Sequence, residues 1–156
     1  SANRFLDKEL NEIQSRIPDM HRLNPHVSQV NVGWHLYHTL KVILSVCNAI
    51  QNSDPDLYRR RFNLNRSIFF LLGRFPRGVA KSPRSVIPPN AILEEDMKTQ
   101  HAIVCKTLGV LDTAAYNQYC SHPIFGMLSR KQSKRFLLIH TRHHLHIVRD
   151  ILRPEH

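Results

Sequence analysis

The sequence predicts an all-α chain folded as an up-down four-helix bundle, with a short extra helix and a long Pro-rich connection. Two observations carry this. Long stretches place their apolar residues three and four apart, which is one face of a helix. Only 5 glycines occur in 156 residues, and with such helical periodicities a β-barrel or a βαβ sheet is not expected. The length suits one domain spanning residues 1–156, enough to bury a real core.

The elements follow in order. Leu6, Leu10, Ile13 and Ile17 make one face of a first helix over Asn3–Ile17, and Pro18 and Pro25 break the chain after it. A second helix runs from an N-cap at Ser28 to Asn52. Leu36, Leu40, Ile43, Cys47 and Ile50 form one stripe, and Trp34, His38 and Val42 another on the opposite side. A helix apolar on two sides is buried on two sides. A short helix spans Arg66–Gly73, and Ile68-Phe69-Phe70-Leu71-Leu72 reads as a core segment. A connection from Phe75 to Pro89 then carries Pro76, Pro83, Pro88 and Pro89. A segment of this kind in a compact domain is often functional. Met97, His101, Val104, Leu108 and Leu111 mark a helix over Leu93–Thr113. A loop, His122–Leu128, leads to Ser129, which caps a last helix over Arg130–Leu152, with Pro154 just beyond.

The last helix carries the chemistry. Leu137, His140, His144, Val148 and Ile151 share one face, and its aliphatic members turn that face inward. Imidazoles on an apolar face cost free energy unless each finds a partner. Histidines four apart bring their rings to one side, roughly 5–6 Å apart at Cβ, within reach of a shared metal ion. The alternative is that they hydrogen-bond to backbone or water in the core. A third ligand must come from another helix. His38, on the Trp34/Val42 stripe, is the better candidate on helix two. His35 lies about 60° around the helix from it, beside Asn31 and Ser45. His101, central in its stripe, could be a fourth ligand, a pocket residue or a satisfied core histidine. His143 could support the ligands or simply sit at the boundary. His21, His26, His122 and His156 lie in loops or at the terminus and read as solvated surface. Three neutral imidazoles with a position left open suit catalytic rather than structural zinc. No His-Glu-x-x-His pattern supplies a general base.

Cys47, Cys105 and Cys120 are odd in number and widely spaced, so they read as reduced thiols of a cytoplasmic protein rather than a disulfide framework or a zinc site. Ser1–Leu10 carries early charges and no apolar run, so no secretory leader is expected, and no apolar run is long enough to span a membrane. The formal net charge is +10. Basic residues gather in Arg59, Arg60, Arg61, Arg66, Arg74, Arg77, Lys81 and Arg84, and again in Arg130, Lys131, Lys134 and Arg135. Such a surface could bind nucleic acid, although no helix-turn-helix, zinc-finger or RNA-binding signature is present. It could equally draw an anionic small molecule toward a metal pocket.

Two motifs carry a resemblance. Trp34-x-x-x-His38 in an early helix, and His140-x-x-His143-His144 after His122-Pro123-x-Phe125-Gly126, resemble the DinB-like four-helix metalloprotein superfamily, and more closely one of its bacterial branches. The stretch Phe75–Pro83 is similar to that branch too. The likeness runs from about Ser28 to Leu152. It implies one divalent metal ion, zinc or nickel before manganese, held by His38, His140 and His144. It also implies a homodimer and a metal-dependent transferase or hydrolase acting on a small molecule such as a thiol. Trp34, His101 and His143 are then expected to line the pocket. The rival expectation is a non-catalytic basic helical protein that binds nucleic acid or another anionic partner.

Overall fold

In the computed structural model, which describes residues 4–78 and 82–155, the apolar stripes close on one another. The helices are α1 (Asp7–Arg16), α2 (Val32–Asn52), a short α3 (Leu64–Leu72), α4 (Glu94–Thr107), a one-turn α5 (Val110–Thr113) and α6 (Arg130–Leu152). Helix α2 packs against both α4 and α6, and α1 closes the bundle against the same two. Ile13, Leu36, Leu40, Ile43, Met97, Leu137 and Leu145 are fully buried between them. Each such side chain contributes about 1.5–3 kcal/mol relative to its exposed state. The result is the all-α bundle that the periodicities predict. The expected helix start at Asn3, the Val79-Ala80-Lys81 part of the Pro-rich connection, and His156 lie outside the described residues.

Helix α2 begins at Val32 rather than near Ser28. Asn31 is its N-cap, and its Oδ1 accepts from the Trp34 amide at 2.9 Å. Two residues on, the Gly33 amide donates to the Met20 carbonyl at 2.8 Å. A Cβ on Gly33 would lie 2.9 Å from that oxygen, so only glycine lets the first turn of α2 come this close to the turn after α1. That contact fixes the rotation of α2 and therefore where His35 and His38 point. The helix is buried on both stripes apart from the half-buried Trp34, and His35, Thr39 and Val46 are buried as well.

The expected helix over Leu93–Thr113 is broken. Regular α-helix ends at Thr107, and Leu111 and Asp112 donate to the carbonyls only three residues back, Leu108 and Gly109. Gly109 is the weak helix former at the break. The apolar stripe survives it, since Leu108 and Leu111 are both buried.

The expected loop His122–Leu128 is instead mostly a β-hairpin. Strand β1 (Tyr119–His122) pairs antiparallel with β2 (Gly126–Ser129), with Tyr119 opposite Ser129 and His122 opposite Gly126. Its turn uses Gly126 at φ 73°. His122, expected at the solvated surface, is half-buried and stacks on Phe125 at 4.6 Å. Its Nδ1 accepts from the amides of Ile124 and Phe125, both at 3.1 Å. Burial pushes the His122 pKa down to about 4.

Strand β2 runs directly into α6. Ser129 is both its last residue and the helix N-cap. The Ser129 hydroxyl accepts from the Gln132 amide, and the Gln132 side chain accepts from the Ser129 amide. This reciprocal pair satisfies two orphan donors. It starts α6 at Arg130, and the helix ends at Leu152, both where the sequence predicts.

Helix α3 departs from its expected place in the core. None of its residues is fully buried, and Leu71 is 87% exposed. Only Phe69 and Phe70 reach inward, each against Phe125, and Phe69 also meets Phe75. Among the described residues, no helix is long and apolar enough to cross a membrane.

Two outcomes follow from the hairpin and its helix. Ser129→Ala should lower stability by about 1 kcal/mol, read as a shift in the urea midpoint at unchanged slope. For His122, the folded pKa lies below the unfolded value of 6.5, so the unfolded chain binds more protons and stability falls as pH drops from 6.5 toward 4. In His122→Asn, the amide oxygen can still accept the two backbone amides but cannot titrate. Between pH 7.5 and pH 5 it should lose about 1–2 kcal/mol less stability than the parent. An identical loss in both would show that His122 is not a source of the acid sensitivity.

Candidate metal centre

Helices α2 and α6 bring His38, His140 and His144 together. One ring nitrogen from each lies within 4.8 Å of the other two, and this is the one such metal-competent cluster among the described residues. The ring centroids of His140 and His144 are 4.6 Å apart, and His38 lies 4.7 Å from His144 and 5.2 Å from His140. Helical spacing places the first pair, since residues four apart share a face. The packing of α2 on α6 adds the third ring.

The surroundings make these rings neutral. Burial pushes the pKa of His140 and His144 well below the ordinary value and lowers that of His38. Neighbouring imidazoles push His140 and His144 the same way, because two cationic rings at this distance would repel. A neutral imidazole keeps the lone pair that a metal requires.

The hydrogen bonds show which lone pairs are free. His38 Nδ1–H donates to the Val86 carbonyl at 2.8 Å, which leaves Nε2 unprotonated. Val86 is buried within the 3-10 turn Arg84–Val86 of the Pro-rich connection, so that connection holds one of the three rings. His140 Nδ1 is buried and has no hydrogen-bond partner. A buried, unpaired ring nitrogen costs free energy comparable to a lost hydrogen bond. A divalent cation at the centre of the three rings is the kind of partner this donor set fits. No carboxylate or thiol joins the cluster among the described residues. Burial pushes the thiols of Cys47 and Cys120 up to about 11, which keeps them protonated and poorly suited to ligation.

The three residues expected to line a pocket separate. Trp34 lies flat on His38, with centroids 4.8 Å apart and planes 19° apart. His143 stands 5.1 Å from His144 and 6.2 Å from Phe75. It also borders a cavity of about 750 Å³ between α3 and α6, walled by Phe69, Phe75, Ile139, Arg77 and Arg142. His101 is elsewhere. Its Nε2 bonds the Leu10 carbonyl at 2.8 Å, across the α1–α4 interface. It is the satisfied core histidine among its three expected readings, because a backbone carbonyl on α1 already takes its proton.

The residue passed over in the sequence is His35. It is 4% exposed, and burial holds its pKa down at about 4. Its Nδ1 lies 3.0 Å from His144 Nδ1 and its Nε2 lies 2.8 Å from Ser28 Oγ. One signal could have found it. A helix buried on two opposite stripes leaves little of its circumference for solvent, so a histidine between the stripes is drawn inside with them.

No match was found among curated proteins or solved structures. The sequence profile of the DinB superfamily matches residues 7–148, from the first residue of α1 to the last turns of α6. That match takes in both histidine-bearing helices and far more than half of the 156 residues, and the chain belongs to the DinB superfamily.

Proposed function

We propose that the protein binds one divalent metal ion through His38, His140 and His144 and uses it in a transfer or hydrolysis reaction on a small molecule. The observation that carries this reading is the convergence of three neutral imidazoles, one with an otherwise unpartnered buried nitrogen. Three nitrogen ligands suit zinc or nickel before manganese. When bound with a position left open, such an ion supplies Lewis acidity, polarising a carbonyl or lowering the pKa of a bound water or thiol.

The chain's own residues then do the rest. Trp34 holds the His38 ring in plane by stacking, and the Val86 carbonyl holds it by its proton. The aromatic wall of Phe136 against His140, at 5.5 Å, keeps bulk water from that side. The cavity beside His143 offers room for a small molecule; Arg77 and Arg142 on its wall are paired with Asp150 and Glu9, and Arg74 is the cation there that favours an anionic one or a thiol carrying a carboxylate. Among the described residues, no carboxylate stands beside the triad as a general base. Asp150, the acid nearest along α6, is engaged by Arg77 at 2.8 Å and by Arg153 at 3.2 Å.

The rival reading, a basic protein for nucleic acid, loses part of its footing. Arg130, Lys134 and Arg135 at the start of α6 are engaged by the Ala114 carbonyl, Asp112 and the Phe70 carbonyl. Arg66 spans the carbonyls of Phe125 and Arg61. These cations brace the fold.

The deciding measurement is metal content by inductively coupled plasma mass spectrometry on untagged protein. Near one equivalent of zinc, nickel or manganese is expected, and close to none in a folded His140→Ala/His144→Ala variant. A parent protein that holds no metal and takes up none from added zinc or nickel would sink the reading. Salt-dependent nucleic-acid binding would then be the next measurement.

A further inference from the structure

Each imidazole of the triad has a second nitrogen, and what that nitrogen meets decides whether the first can bind a metal. In a neutral ring one nitrogen carries the proton and the other the lone pair. For His38 a carbonyl settles the matter, because it can only accept. For His144 the partner is another imidazole. His35 Nδ1 faces His144 Nδ1 at 3.0 Å, and a bond between two nitrogens needs the proton on one of them only.

The next link is His35 Nε2 to Ser28 Oγ at 2.8 Å. With His144 Nδ1 turned to His35, its Nε2 is the nitrogen left for an ion. If the lone pair is there, the proton sits on Nδ1 and is donated to His35 Nδ1. The proton of His35 is then on Nε2 and is donated to the Ser28 hydroxyl oxygen. That oxygen also accepts from the Val30 amide at 3.3 Å, which is compatible with this direction. Reversing the chain would place a proton on His144 Nε2 and remove the lone pair. The relay therefore has two states, and only one lets His144 act as a ligand.

We propose that His35, anchored by Ser28, is a positioning residue that holds His144 in the tautomer with Nδ1 protonated and Nε2 open to the metal. This rests on the triad reading above. His35 is nearly buried and reaches His144 across the α2–α6 interface, so its ring has little freedom to turn away. Groups that orient a metal-bound histidine through its second nitrogen are worth about 10–100-fold in metal affinity. Ser28 lies ahead of the Asn31 cap, in a turn closed by the Val27 and Ser28 amides on the Asn24 carbonyl. The relay thus joins that turn to the centre.

The test measures zinc affinity and stoichiometry of the untagged full chain by competition with a chromophoric chelator. His35→Ala, His35→Asn and Ser28→Ala are run beside the parent, with circular dichroism to confirm folding. Expected is one equivalent in every variant, with His35→Ala weaker by about 10–100-fold. His35→Asn should recover most of that loss, because its amide oxygen can stand near the Nδ1 position and accept the same proton. Ser28→Ala should lose less than His35→Ala. Should His35→Ala not fold, ¹⁵N spectra of the histidine rings in zinc-loaded parent protein decide alone. They should show the proton of His144 on Nδ1 and that of His35 on Nε2. Unchanged affinity in folded His35→Ala, or a proton on His144 Nε2, overturns the proposal. Loss of the bound equivalent in folded His35→Ala overturns it too, because His35 would then be a ligand. A parent that binds no zinc fails at the triad itself, which separates the two readings.

Discussion

Four imidazoles lie together between α2 and α6, and the interior that surrounds them is aliphatic and aromatic. Burying polar rings there is costly unless each nitrogen is satisfied. The molecule meets that constraint with a short set of partners: the Val86 carbonyl for His38, and Ser28 through His35 for His144. Among the described residues, His140 Nδ1 is the fully buried ring nitrogen with no hydrogen-bond partner. The close approach of α2 to the turn after α1, the anchoring of the Pro-rich connection and the N-cap of α6 all position one of these rings.

Much of this was legible in the sequence, and for identifiable reasons. Helix α6 was readable end to end because Ser129 and Gln132 form a capping box and Pro154 stands just beyond its end. His140 and His144 were readable because four-residue spacing on an aliphatic stripe forces them inward together. His38 followed from the second stripe of α2, although only the packing of α2 on α6 shows that this stripe faces α6. His101 illustrates the limit: its stripe position is as good as that of His144, and only the Leu10 carbonyl across the bundle reveals that it is spent on the backbone.

The misreadings share a cause. Phe69 and Phe70 are genuine inward residues, and they made the whole apolar run of α3 look like core, but at nine residues the helix presents its other face outward. The four-residue strands of the hairpin are too short to display an alternating pattern, so the pairing of Tyr119 with Ser129 is a tertiary fact without a local signature. Several members of the two basic runs cap carbonyls of this same chain, as Arg66 does at Phe125 and Arg135 at Phe70.

The junction of β2 and α6 has a mechanical meaning. Because Ser129 ends the strand and starts the helix, the hairpin acts as an index pin for the rotation of α6. One residue added between Gly126 and Ser129 would turn the helix by about 100°. Such a slip would carry His140 and His144 off the interface together while leaving every residue of the triad in place in the sequence. Length variation is cheap in the exposed part of the Pro-rich connection, whereas the hairpin behaves as a ruler that must keep its length for the two ring-bearing faces to meet.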